Sequence, residues 1–132
     1  MNKAIAGAIR YSGAREKTAA AGAIKALKAL QSVTTIGVTY REYGSRVADA
    51  QIAVDEALPD IFDSRLKDEI KSAMKQYGEA LTFWSESLKF DIRYSSDTTD
   101  TAGGDVIRSC WKLASSYIKS AELYLNCRRG RC

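Results

Sequence analysis

The chain is organised around residues 33–58, VTTIGVTYREYGSRVADAQIAVDEAL. Eight residues of this stretch are spaced by 4, 3, 4, 3, 4, 3 and 4 positions: Val33, Gly37, Tyr40, Gly44, Val47, Gln51, Val54 and Leu58. Such a heptad seam is typical of a helix that packs lengthwise against other helices. Charged residues fall mainly off the seam. The stretch therefore predicts a helical bundle, but it does not indicate a reaction.

Two glycines inside this seam need an explanation, because each costs about 1 kcal/mol relative to alanine in a helix interior. Gly37 and Gly44 are expected to allow close approach of a neighbouring backbone or of a bulky side chain. On this reading, Gly44→Leu should destabilise the protein by roughly 1–3 kcal/mol through overpacking.

The whole chain has the composition of one helical domain over residues 1–132. It has 45% hydrophobic and 27% charged residues and a single proline, as is ordinary for a globular protein rich in helix. We predict more than 65% helix and no strand. Residues 1–13 and 127–132 are expected to be frayed or peripheral.

The expected fold class is all-α, an antiparallel bundle of three long helices at about 19–58, 64–90 and 105–126. Pro59 ends the first helix, since proline disfavours helical conformation in the residue before it. A break near Val33, at the start of a β-branched cluster, would make four helices instead.

The second and third helices each have their own apolar seam, and residues 95–104, SSDTTDTAGG, form the loop between them. Asp63 or Ser64 can cap the second helix. The second seam is Leu66, Ile70, Ala73, Tyr77, Leu81, Trp84 and Leu88. The third seam is Ile107, Trp111, Ala114, Ile118, Ala121 and Leu125.

Residue usage argues against several kinds of chemistry. There is no histidine, which removes the commonest general base and metal ligand, and no glycine-rich phosphate-binding motif is present. We predict no catalytic residue, no cofactor and no metal site. Cys110 is expected to be a small buried hydrophobe. Cys127 and Cys132 are expected to be free thiols, or else a disulfide that needs an oxidising setting.

Positive charge is concentrated at the two ends of the chain, which has a net charge of +4. Residues 1–31 hold six basic residues and one acidic residue. Arg128, Arg129 and Arg131 lie in the tail and are candidate anion contacts. Basic ends of this kind allow nucleic-acid binding, although simple solvation is the favoured interpretation.

No apolar run approaches the roughly 20 residues that span a membrane. The apolar stretch Ala4–Ile9 is ended by Arg10 and is shorter than the roughly 7–15 residues of a secretory signal. We therefore expect a cytoplasmic protein by default, and an extracytoplasmic one if a natural leader has been removed.

An aromatic group on or beside the seams is the main candidate site. Its residues are Tyr40, Tyr43, Gly44, Tyr77, Trp84 and Trp111. Glycines opposite large rings can leave a ligand pocket between helices. Packing of the rings in an ordinary core is the alternative, and the favoured one.

The length of the first predicted helix suggests assembly. A 40-residue helix is about 60 Å long and outruns a second helix of about 40 Å. Ile24, Leu27 and Leu30 would then be uncovered, so we predict a homodimer in which the Ala19–Gln31 segments pack against each other or against the partner's bundle. A fold-back of residues 1–13, or a broken first helix, would cover the stripe instead.

Residues 26–58, ALKALQSVTTIGVTYREYGSRVADAQIAVDEAL, together with Tyr77 and Trp84 in the second helix, resemble small bacterial helical proteins of unassigned function. The resemblance implies a leading helix ahead of two further helices, and no named activity. The function we expect is a non-enzymatic binding or assembly module with an unknown protein partner. The alternatives are a small-molecule binding protein with the aromatic pocket and a nucleic-acid-associated protein with basic termini.

Overall fold

Four α-helices make up the chain in a computed structural model that describes residues 2–90 and 104–128, with side chains described for 13–89 and 104–127. Helix α1 spans Asn2–Ile36, α2 spans Tyr40–Ala57, α3 spans Ser64–Phe90 and α4 spans Gly104–Arg128, and a short 3₁₀ helix, Leu58–Asp60, joins α2 to α3. The described ranges contain no strand. The helices, of 35, 18, 27 and 25 residues, exceed 65% of the chain, which confirms the all-α prediction.

The predicted continuous helix over residues 19–58 was wrong. Helix α1 begins already at Asn2 and ends at Ile36, and α2 starts at Tyr40. Gly37 has a positive φ of 115°, and its N–H donates to the Val33 carbonyl at 3.0 Å. Glycine adopts positive φ at little cost and commonly ends helices in this way. The break thus follows the β-branched cluster, close to the position considered as the four-helix alternative.

The sequence contains a local signal for the start of α2. Thr39 is the N-cap of α2 and has an extended backbone, with φ −78° and ψ 160°. Its Oγ1 accepts a hydrogen bond from the Glu42 N–H at 3.2 Å. Threonine followed three residues later by glutamate is the sequence signature of a capping box. This signature marks Tyr40 as the first residue of a new helix.

We expect Gly37→Ala to destabilise the protein by about 1–2 kcal/mol, because a Cβ at positive φ clashes with the backbone. Urea unfolding measures the change. Gly44→Ala is the matched control. A Cβ at Gly44 would meet only Leu81 Cδ1 at 3.7 Å, an ordinary contact, so this substitution should stabilise α2 by up to about 1 kcal/mol. Equal effects at both positions would contradict our account of the break.

The boundaries of the last two helices agree with those predicted from the sequence. Helix α3 has the predicted bounds, and α4 begins and ends within two residues of its prediction. Asp63 caps α3, since its Oδ1 accepts from the Leu66 N–H at 3.0 Å. The predicted loop 95–104 lies outside the described residues except for Gly104, which begins α4.

Consecutive helices run antiparallel. The chain reverses between α2 and α3 over residues 58–63, and Tyr43 near the start of α2 donates to the Tyr77 carbonyl farther along α3. Arg15 in α1 pairs with Asp60 just after α2 at 3.2 Å. Tyr124 near the end of α4 donates to Asp63 at the start of α3 at 3.0 Å. On the remaining side, Lys28 of α1 pairs with Glu122 of α4 at 2.8 Å. The helices therefore close into an up-down-up-down bundle around one core.

The core uses the seams of α3 and α4 nearly as predicted, but a rotated face of α2. All six seam residues of α4 are buried, and in α3 only Leu81 and Leu88 are half-buried. In α2, Gln51 is exposed and bonds to Asp55 at 2.8 Å. The residues that α2 buries are Tyr43, Val47, Ala50, Val54 and Ala57. Because α2 starts anew at Thr39, its face need not continue the phase of α1.

Candidate functional site

The aromatic residues predicted to lie together do so in the core. Tyr43 and Trp84 have ring centroids 5.8 Å apart, Tyr43 and Trp111 5.3 Å, and Trp84 and Trp111 6.4 Å. Tyr40 packs on the edge of Trp84 at 5.6 Å. These separations are typical of rings in direct contact. The rings therefore pack on one another at this level of the bundle.

A chain of hydrogen bonds runs through this cluster. Trp111 Nε1 donates to the Tyr43 hydroxyl at 2.9 Å, and that hydroxyl donates to the Tyr77 carbonyl at 2.7 Å. Burial raises the pKa of Tyr43 well above its ordinary value, and the bond from Trp111 offsets only part of the increase. The chain thus links α2, α3 and α4 through neutral groups.

Two buried polar atoms of the cluster are unsatisfied. The Tyr77 hydroxyl and Trp84 Nε1 have no hydrogen-bond partner among the described residues. Burial raises the pKa of Tyr77 to about 12, and the neighbouring Ser115 opposes part of this rise, although its contact does not have hydrogen-bond geometry. Buried polar atoms are usually satisfied by protein or water. These two atoms are therefore the polar groups that a bound water or small ligand would meet.

We expect the two buried tyrosines to make the protein unstable at high pH. Below about pH 10 both tyrosines keep their phenol protons in the folded and in the unfolded protein. Above this pH they ionise in the unfolded chain, whereas burial keeps them protonated in the folded core. Each tyrosine should then lower the free energy of unfolding by about 1.4 kcal/mol per pH unit. Urea unfolding between pH 8 and 12 measures the loss. Tyr43→Phe should flatten the slope, and an unchanged slope would contradict this prediction.

The aromatic residues line none of three surface cavities seen in the described part of the chain. Gly44 leaves no gap beyond an ordinary contact with Leu81. A ligand pocket formed by Tyr40, Tyr43, Gly44, Tyr77, Trp84 and Trp111 stays a prediction, and its only support here is the pair of unpartnered atoms.

The stripe predicted to be an exposed interface lies inside the bundle. Ile24, Leu27 and Leu30 are at most 4% exposed. Because the chain turns at Gly37, α2 folds back along α1 and, with α3 and α4, covers these side chains. The reason given for the homodimer was therefore wrong, whereas the dimer itself is not tested by this observation.

The basic tail lies largely beyond the described residues. Arg128 ends α4, but its side chain, Arg129 and Arg131 are outside the described part, so their anion-binding role stays a prediction. Cys127 is disulfide-bonded, which corrects the preferred expectation of a free thiol. Cys110 is a half-buried free thiol, and burial, with a smaller effect of Glu79, raises its pKa.

Glu16 is a buried carboxylate that sequence reasoning missed. It is 5% exposed and accepts hydrogen bonds from the N–H groups of Phe62 at 2.6 Å and Asp63 at 3.1 Å. It thereby ties α1 to the start of α3, where the helix dipole favours a negative charge. Its position between Arg15 and Lys17 suggests a solvated residue, so no local signal identifies it.

A groove runs along the outside of the bundle between α1 and α2. One part encloses about 510 Å³ and is lined by Ala14, Arg15, Thr18, Ala19, Gly22, Ala53, Glu56, Ala57 and Asp60. The next part encloses about 130 Å³ and is lined by Ala26, Ala29, Leu30, Arg46, Asp49 and Ala50. We call these two parts together the α1–α2 groove. Its floor is made of small side chains, so the backbones of a third helix and the groove helices can approach closely.

The charges at the groove are unevenly distributed. On the α1 wall, no charged residue lines the groove between Thr18 and Leu30. On the α2 wall, Arg46 lies near Glu42 at 3.8 Å, while Asp49 and Glu56 have no ion pair within the described residues. The α2 edge of the groove therefore carries two uncompensated carboxylates, seven residues apart and on the same helix face.

A third cavity, of about 380 Å³, lies between α1 and α4. Its lining includes Lys25, Lys28, Glu122 and Asn126. Lys28 and Glu122 form an ion pair, which leaves Lys25 as the one charged lining residue without an ion pair among the described residues, so the lining carries a net charge of +1.

Comparison with known proteins does not place the chain in a family. No protein-family model, no curated protein and no solved structure matches this chain. Within the described residues there is no cluster of metal-ligating side chains, and none of the helices found there is long and apolar enough to cross a membrane. The resemblance to small bacterial helical proteins stays a prediction.

Proposed function

We propose that this protein is a non-enzymatic binding or assembly module that holds a helix of a protein partner in the α1–α2 groove. The observation that carries the proposal is the groove itself, an open channel floored by alanine and glycine between two helices. Helix-in-groove docking is a common mode of peptide recognition.

The hydrogen bonds of the buried Glu16 and the half-buried Asp63 support a role without catalysis. Glu16 accepts from two backbone N–H groups, and Asp63 caps α3 and accepts from the Tyr124 hydroxyl. Carboxylates held by such bonds stabilise the end of the bundle. Glu16 Oε2 and both Asp63 oxygens already accept hydrogen bonds, which makes them poor candidates for proton transfer.

The charge at the groove supports a basic partner helix. Asp49 and Glu56 stand at the same edge, and their spacing of seven residues matches two turns of a docked helix. Basic residues at that spacing on the partner would face both carboxylates. Such complementarity mainly raises the association rate and selects the partner.

Peptide titration tests the proposal. Three alanine-rich helical peptides of equal length, with lysine, glutamine or glutamate at every seventh position, are added to ¹⁵N-labelled protein. We expect the lysine peptide to shift the amide signals of Thr18–Ala29 and Arg46–Ala57. Asp49→Asn with Glu56→Gln should remove its advantage over the glutamine peptide. Signal changes elsewhere, or none with any peptide, would rule out the groove as the binding site.

A second candidate function, small-molecule binding, rests on the unpartnered Tyr77 hydroxyl and Trp84 Nε1. A polar ligand that enters between the helices would satisfy both atoms. A thermal-shift screen of small polar aromatic compounds tests it, since a ligand that binds the folded state raises the melting temperature. A hit whose effect persists in Trp84→Phe would count against this site.

We propose an oxidising, extracytoplasmic setting for the protein, in place of the cytoplasmic default. The disulfide at Cys127 supports this, because such bonds persist mainly outside the reducing cytosol. Alkylation of unreduced protein from its native source, followed by mass spectrometry of its peptides, tests it. The label is expected on Cys110 and not on Cys127, and a labelled Cys127 would contradict the proposal.

A further inference from the structure

The outward face of α1 has a second heptad seam that no helix of the chain covers. Its residues, all exposed, are spaced by 4, 3, 4, 3 and 4 positions: Thr18, Gly22, Lys25, Ala29, Ser32 and Ile36. Ile36 at its end is 87% exposed. A seam of this spacing on a solvent-facing side is typical of a helix that pairs with another helix.

Gly22 lies at the centre of α1 without a structural reason inside the chain. A Cβ added there would meet nothing within 4 Å, whereas glycine in a helix interior costs about 1 kcal/mol relative to alanine. Gly22 lines the α1–α2 groove, and its lack of a side chain suits the close approach of an outside helix.

We propose that the occupant of the α1–α2 groove is α1 of a second copy of this chain, antiparallel about a two-fold axis at Gly22. This inference rests on the proposed function, to which it adds the identity of the partner. In such an isologous pair each contact occurs twice, since the same surface serves both copies.

Charge complementarity sets the register. Arg15 of α1 pairs with Asp60 just after α2. Because the two helices are antiparallel, equal steps along them from this pair put Ala19 level with Glu56 and Gly22 level with Ala53, and all four residues line the groove. A two-fold axis at Gly22 therefore places Lys25 of the second copy at the level of Ala19, facing Glu56. Neither Lys25 nor Glu56 has an ion pair within the described residues, so each is available for this contact.

A second polar contact follows from the same register. Thr18 of the second copy falls at the level of Ala26, beside Asp49, and can donate its hydroxyl proton to that carboxylate. Arg15 of the second copy approaches Arg46, but Arg15 is already paired with Asp60 and Arg46 with Glu42, which limits their repulsion.

The size of the groove predicts a weak dimer. Sixteen residues of helix cover about 24 Å, and two helices side by side are about 20 Å wide, so each copy would contribute roughly 500 Å². This area is at the low end for specific interfaces. Monomer and dimer should therefore exchange with concentration in the micromolar range.

Sedimentation equilibrium of the full chain from about 1 to 500 µM tests the proposal. We expect a monomer–dimer equilibrium that Gly22→Leu weakens at least about tenfold, while its melting temperature does not fall. Gly13→Leu is the matched control. Gly13 is also exposed in α1 with nothing within 4 Å of an added Cβ, but it lies off the outward seam, so the dimer should persist.

A charge swap tests the register. Lys25→Glu should weaken the dimer, because it places two carboxylates opposite each other, and Lys25→Glu combined with Glu56→Lys should restore it. A chain that stays monomeric up to 500 µM overturns the proposal. So does a dimer that Gly22→Leu leaves intact, or one that the double variant fails to restore. The two proposals can fail separately, because the lysine peptide can bind the groove of a chain that stays monomeric up to 500 µM.

Discussion

Trp84→Ala is expected to lower the free energy of unfolding by about 3–5 kcal/mol, the usual cost of truncating a large buried ring. The Trp84 side chain is 1% exposed. Its ring contacts Tyr40, Tyr43 and Trp111, so the cavity left behind would be bounded by rigid rings that cannot collapse into it. Urea unfolding followed by circular dichroism at 222 nm measures the loss.

Two control substitutions distinguish the loss of a buried ring from the loss of an exposed ring and from the loss of the indole N–H. Phe62 is also a large aromatic residue but is 67% exposed, so Phe62→Ala should change stability by no more than about 0.5 kcal/mol. Trp84→Phe keeps most of the ring and removes the unpartnered N–H, so it should cost much less than alanine. Similar losses for Trp84→Ala and Phe62→Ala would mean that the ring cluster is not the centre of the core.

Glu16→Ala is expected to cost about 2–4 kcal/mol, because hydrogen bonds to a charged group contribute more than neutral ones. The substitution removes the acceptor for the Phe62 and Asp63 N–H groups at the junction of α1 with the start of α3. The equilibrium stability from urea unfolding should fall, and the amides of residues 62 and 63 should exchange faster with deuterium.

Glu16→Gln retains a carbonyl acceptor without the charge, so it should cost about half as much as alanine. The matched surface control is Glu79→Ala. Glu79 lies near Lys75 at 3.8 Å with a half-exposed side chain, and such pairs contribute little, so a change below about 0.5 kcal/mol is expected. If Glu16→Ala were as mild as Glu79→Ala, the carboxylate would not hold this end of the bundle.

Both substitutions also bear on the proposed function, because neither residue lines the α1–α2 groove. A destabilised but folded variant at either position should bind the lysine peptide with unchanged affinity. Loss of peptide binding in Trp84→Ala at a temperature where it is folded would contradict the placement of the binding site in the groove.

The sequence by itself determined the elements whose signals are local. Apolar residues at helical spacing defined α3 and α4, because one buried face imposes its period on each helix. Pro59 and Asp63 marked the turn before α3, since proline ends a helix and aspartate caps one. The break at Gly37 was equally local, with a glycine for the turn and Thr39–Glu42 for the restart. It was missed because the heptad spacing continues across it.

Only the tertiary structure decided which faces are buried and where the site lies. Glu16 is buried because its partners, 46 and 47 residues away, come to it only when α1 and α3 pack. Ile24, Leu27 and Leu30 are core residues because α2 folds back over them, and the groove exists only between two packed helices. The spacing of apolar residues identifies a helix, but it does not identify the helices that pack against it. Those contacts depend on how the helices are arranged in the bundle.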